Sequence, residues 1–152
     1  MHPAKVYSFF LPLTLLLAFT SFVHTQEAHL FNKINQEYHR VLRLVGKEQY
    51  DTAIQGLKRI IAQDSSFYRA YIKMVEVYKY KKDLDAAQKY FETKIKIEPN
   101  NPYAQHALGL VYKGMQEYQK AYSSILKSIQ LDLENYAAYP DFVSVHRDLE
   151  EA

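Results

Sequence analysis

Apolar side chains recur along this chain at helical spacing. Tyr71, Met74, Val75 and Tyr78 fall at i, i+3, i+4 and i+7, which gathers them on one face of a helix. After the polar stretch Tyr80-Lys81-Lys82-Asp83 the pattern resumes with Leu84, Ala87, Phe91 and Ile95. The spacing predicts two helices of roughly fourteen residues each, folded back on one another across a short turn. Asp83 is placed to cap the second helix through its side-chain oxygen, and Asp51 is expected to help at the corresponding place earlier in the chain. The pair ends in Ile97-Glu98-Pro99-Asn100-Asn101-Pro102. Pro99 cannot continue a helix, and Pro102 fits the first turn of the next.

The same pattern returns every thirty-four residues. Leu108-Gly109-Leu110-Val111-Tyr112 lies one period beyond Met74-Val75-Glu76-Val77-Tyr78, and two beyond Arg40-Val41-Leu42-Arg43-Leu44. The second half of the unit repeats without gaps: Tyr50, Leu84 and Tyr118; Ala53, Ala87 and Ala121; Leu57, Phe91 and Ile125; Ile61, Ile95 and Ile129. A period in this range signals stacked supersecondary units. The alanine column, and Gly109 once, leave room for a large side chain where two antiparallel helices approach closely. One such hairpin cannot bury its own apolar stripe, so neighbours must stack on it, and about three units are needed for stability. The expected fold is all-α, an α-solenoid of stacked antiparallel hairpins. Its units are 34–67, 68–101 and 102–135, with a final partial unit or capping helix over 136–152. Glu27 to Ile34 is expected to extend the first helix by about two turns.

These residues resemble the tetratricopeptide repeat. The third unit is similar to the family pattern at Leu108, Gly109, Tyr112, Tyr118, Ala121 and Ile125; the second has Tyr71 in place of a frequent Trp, then Tyr78, Ala87, Phe91 and Pro99. The first departs most, and its register rests on Tyr50, Ala53 and Leu57. The last helix resembles the opening of a fourth unit, with Tyr139, Phe142, Val143 and His146 in the packing columns. The resemblance implies a right-handed superhelix whose first helices line a concave groove for a protein or peptide ligand. Its inward positions correspond to Asn35, Tyr38, Leu42 and Val45, then Arg69, Ile72, Glu76, Lys79 and Tyr80, then Tyr103, His106, Leu110 and Lys113. Tyr71, Tyr78 and Tyr112 belong to the packing columns instead. Chaperone-binding members hold a C-terminal carboxylate with Lys, Asn and Arg side chains. Here Tyr38, Leu42, Lys73, Tyr103 and Ala107 stand at those positions, and four of the five lack the required group.

The opening residues carry a different signal. Lys5 precedes an apolar run from Val6 to Val23, the pattern of a secretory signal peptide over 1–25 with cleavage after Thr25. An uncleaved anchor over 6–23 is the alternative, since the run approaches the roughly 20 residues of a membrane span. The chain has no cysteine, so an exported domain must be held by packing alone. With no Asn-x-Ser/Thr acceptor either, the expected compartment is bacterial periplasm or another secreted setting.

Nineteen Lys and Arg against seventeen Asp and Glu leave a formal charge of +2, too balanced for a nucleic-acid footprint. There is no thiol nucleophile, no His-Glu-x-x-His, no Gly-x-Ser-x-Gly and no phosphate-binding glycine loop. His29, His39, His106 and His146 show no metal-ligand spacing. His106 is expected to project from the groove beside Tyr103 and Lys113, with a surface histidine of no role as the alternative. The expected function is a non-enzymatic binding scaffold without cofactor or metal. An interaction module of a longer enzyme or sensor is the alternative.

Overall fold

The computed structural model describes residues 13–152, with side chains described at Thr20 and from Phe22 onward. The start of the expected signal peptide, residues 1–12, lies outside the described residues. Seven helices follow in order: α1 (Leu13–Gly46), α2 (Tyr50–Gln63), α3 (Tyr68–Lys81), α4 (Leu84–Ile97), α5 (Pro102–Gly114), α6 (Tyr118–Leu131) and α7 (Ala138–Glu150). No strand occurs among the described residues, and no helix there is long and apolar enough to cross a membrane.

The chain divides into two compact units, residues up to Gln36 and residues Glu37–Ala152. In the first, α1 exposes Phe22, Val23, Leu30 and Phe31, while Thr25 Oγ1 donates to the Phe22 carbonyl at 2.7 Å and Asn35 Nδ2 to that of Phe31 at 2.8 Å.

The second unit is built from hairpins that pair α3 with α4 and α5 with α6. Ala53, Ala87 and Ala121 are all fully buried, as are Leu57, Phe91 and Ile125 one helical turn on. Val41 presses onto Gly56, where an added Cβ would lie 2.5 Å from Val41 Cγ2. Gly109 meets Ile125 still more closely, and a Cβ there would also come 3.2 Å from the Ala121 carbonyl oxygen. Helix backbones can approach this closely only where a side chain is missing.

The turns inside the hairpins repeat as faithfully as the core. Glu48, Lys82 and Gln116 have φ of 58°, 56° and 64°, left-handed conformations one period apart. Each ends its helix in a Schellman motif. In the middle turn the Lys82 amide donates to Lys79 and the Asp83 amide to Tyr78, both at 3.0 Å; the same pairs recur at Gln116 and Glu117, and at Glu48 and Gln49. Asp83 caps α4 by accepting from the Ala86 amide at 3.3 Å. Asp51 does not act as a cap. It lies in the first turn of α2, behind the N-cap Gln49, and accepts from Lys81 Nζ at 2.6 Å.

Between hairpins a buried polar cluster takes over. Asn101 caps α5 by accepting from the Ala104 amide at 3.0 Å, and its Nδ2 donates to the Tyr71 hydroxyl at 2.9 Å and to Glu98 at 2.8 Å. Tyr71 in turn donates to the Ser65 carbonyl at 3.0 Å, so three consecutive elements share one network.

Helix α7 departs from the expected packing. Tyr139, Val143 and His146 are exposed, whereas Ala138 and Val145 are fully buried. The cause lies in the repeat itself. Tyr71, one of the residues at the corresponding places, stacks on Phe91 of the second helix of its own hairpin at 6.3 Å, and among the described residues no second helix follows α7. Ala138 and Val145 continue the columns Ala70–Ala104 and Val77–Val111, which are buried throughout.

Candidate binding face

The first helices of the hairpins form the tighter layer. Helix α3 packs on α5 and α5 on α7, while α2, α4 and α6 make no comparable contact with one another. The positions expected to face inward differ in how open they are.

At the α1 end Tyr38 is half-buried, its ring set edge-on to Phe67 with centroids 5.4 Å apart. Burial raises its hydroxyl pKa, partly offset by the charges of Lys73 and Arg69. Leu42 and Val45 are half-buried beyond it. Asn35 belongs to the other compact unit and is occupied by its bond to Phe31.

Along α3, Arg69 is exposed and makes no ion pair among the described residues, and Ile72 is half-buried. Glu76 is held between Lys73 Nζ and the Tyr80 hydroxyl, which donates to it at 2.8 Å. Burial opposes its ionisation, but these two hydrogen bonds and the Lys73 charge outweigh it and lower the Glu76 pKa. Tyr80 stays 52% exposed and Lys79 is exposed, so this stretch is the open part of the face.

Along α5 the face is covered rather than open. Tyr103 packs against Tyr68 and Tyr71 at centroid distances of 5.8 and 6.1 Å, and Leu110 is half-buried. His106 does not project into solvent. It is fully buried, stacked on Tyr68 at 5.9 Å, with Nε2 2.9 Å from Asp141 Oδ2 of α7 and Nδ1 buried without a partner. Lys113 reaches α7 as well, donating to Ser144 Oγ at 2.6 Å and lying 3.5 Å from Asp148. Burial, then the Asp141 charge, pushes the Tyr68 hydroxyl up to about 12. Sequence patterning missed this seam because Asp141, Ser144 and Asp148 read as the solvent side of a terminal helix. Their spacing of three and four residues was the available signal.

Among the described residues no group of three or more His, Asp or Glu side chains is placed to hold a metal.

A tetratricopeptide-repeat model matches residues 68–101 and 102–135, the hairpins α3–α4 and α5–α6. Residues 68–135 are two tetratricopeptide repeats, and the fold that holds them is that of a tetratricopeptide-repeat domain. No curated protein matches the chain. Among solved structures the chain is similar to the Sgt2 tetratricopeptide-repeat domain from Aspergillus fumigatus, with TM-score 0.59, 16% identity, and coverage of 78% of this chain and 80% of that one. The first such domain of human RPAP3 gives 0.58 at 14% identity, covering 78% and 93%. The first domain of Spaghetti (RPAP3), bound to the HSP90 peptide SRMEEVD, gives 0.55 at 14% identity, covering 78% and 94%. At these identities the likeness is one of fold.

Proposed function

We propose that this protein is a non-enzymatic scaffold that holds a segment of another protein along the inner face of its first helices, in an exported compartment such as the bacterial periplasm. The observation that carries this reading is the open stretch of α3. Arg69, Lys79 and Tyr80 are solvent-exposed on this helix, a ring and two cations with no ion pair among the described residues. Tyrosine and arginine are the side chains that contribute most often to binding hot spots. A domain of the same fold is bound to the HSP90 peptide SRMEEVD, which supports a peptide ligand here. The mode of capture differs from a carboxylate clamp, because Tyr38, Leu42, Tyr103 and Ala107 cannot supply it. The basic start and apolar run over residues 1–25 support export.

The test is affinity capture from a cell-envelope fraction by the full chain and by a Tyr38→Ala, Arg69→Ala, Tyr80→Ala triple variant. Loss of the captured partner with an unchanged helical circular-dichroism spectrum is expected. Retention of the partner by the triple variant would place binding elsewhere.

A further inference from the structure

Successive hairpin interfaces should look alike in a repeat of constant period, so a position where they differ marks something other than packing. At the α2–α3 edge, Tyr50 and Tyr80 lie with ring centroids 5.9 Å apart, and Lys81 pairs with Asp51 at 2.6 Å. One period later the same four positions hold Leu84, Gly114, Met115 and Asp85. Both rings are gone, and so is the cation that paired with the aspartate. In their place is a cleft of about 610 Å³ lined by Lys79, Lys82, Leu84, Asp85 and Gly114.

Gly114 is what keeps it open. A Cβ there would lie 3.0 Å from Leu84 Cδ1 and 3.2 Å from Lys79 Cε, so any larger side chain would fill the space that Tyr80 fills one unit earlier. The charge changes too. Val45 and Glu48 at the first edge become Lys79 and Lys82 at the second, both exposed and neither in an ion pair among the described residues. Two cations against Asp85 leave the rim net positive. Lys79 is also an inward position of α3, so the cleft adjoins the groove.

We propose that this cleft receives an aromatic side chain of the bound peptide, with carboxylates beside it meeting Lys79 and Lys82. The ligand supplies the ring that the repeat omits. This inference rests on the groove reading and names the ligand chemistry at one end of it.

The probe is acetyl-Asp-Trp-Asp-amide titrated into the full chain. Because the protein contains no tryptophan, the indole emission belongs to the peptide alone. A saturable blue shift is expected, reversed by excess acetyl-Asp-Tyr-Asp-amide but not by acetyl-Asp-Ala-Asp-amide. Gly114→Tyr, which restores the missing ring, and the double variant Lys79→Glu, Lys82→Glu should each weaken binding at least about tenfold, the size of a hot-spot loss. The surface variant Lys89→Glu on α4 should not. Absence of saturation, or wild-type affinity in the double variant, overturns the proposal. If Tyr38→Ala and Arg69→Ala weaken the peptide while the cleft variants do not, the cleft is overturned and the groove stands.

Discussion

At Gly109 one missing methyl group decides how closely two helices lie. Its ideal Cβ position falls against Ile125 and 3.2 Å from the Ala121 carbonyl, and the backbone of α6 cannot give way as a flexible side chain would. Gly109→Ala is therefore expected to lower stability by about 1–3 kcal/mol through overpacking, despite the higher helix propensity of alanine. Urea denaturation measures it, and an unchanged midpoint would mean that the close approach is relaxed in solution. The sequence disclosed this residue because its neighbours in the repeat are large. It did not disclose the burial of His106, whose partner Asp141 lies thirty-five residues away on α7.

At the scale of elements, the helices and hairpin turns were legible because each is specified locally. Asp83, Pro99 and Pro102 act where their chemistry places them, and apolar spacing alone located the pairs α3–α4 and α5–α6. What patterning misassigned was the orientation of α7. Helix α7 keeps its contacts with the preceding hairpin and has no second helix of its own among the described residues, so Tyr139 and Val143 are exposed although they stand in packing columns. The junction cluster was also unread, since Asn101 lies among loop residues and reveals its role only when Ser65, Tyr71 and Glu98 are brought around it. Asn101→Ala removes the cap of α5 and leaves the buried Tyr71 hydroxyl without its donor, so a loss of about 2–3 kcal/mol is expected. Asn101→Asp keeps the capping oxygen and should recover part of it. Equal losses in the two thermal melts would assign the whole effect to the donated bonds.

Over the whole molecule, stability should form a plateau bounded by two kinds of group. Glu37, bonded first by Arg59, and Glu98, bonded by Lys94 and Asn101, have pKa values lowered from 4.5, as does Glu92, bonded by Gln88. A lowered carboxylate favours the folded state above its unfolded pKa, and that contribution disappears as pH falls through the folded value. Burial pushes Tyr68 and Tyr90 from 10.0 up to about 12 and raises Tyr71 as well. A raised phenol favours folding below its unfolded pKa, and the advantage is lost as pH climbs from 10 toward the folded value. The melting temperature is accordingly expected to be flat from about pH 6 to 9, to fall below about pH 4.5, and to fall again above about pH 10. A rise on either side would contradict these assignments.

Capture on the inside of the array is tested most directly by site-specific photocrosslinking in living cells. A benzophenone side chain at Arg69 or Tyr80 on α3, or at Lys89 on the outer face of α4, reports what touches each surface. The same crosslinked partner from Arg69 and Tyr80, with none from Lys89, is the predicted result. A partner joined at Lys89 and absent from both α3 positions would contradict it.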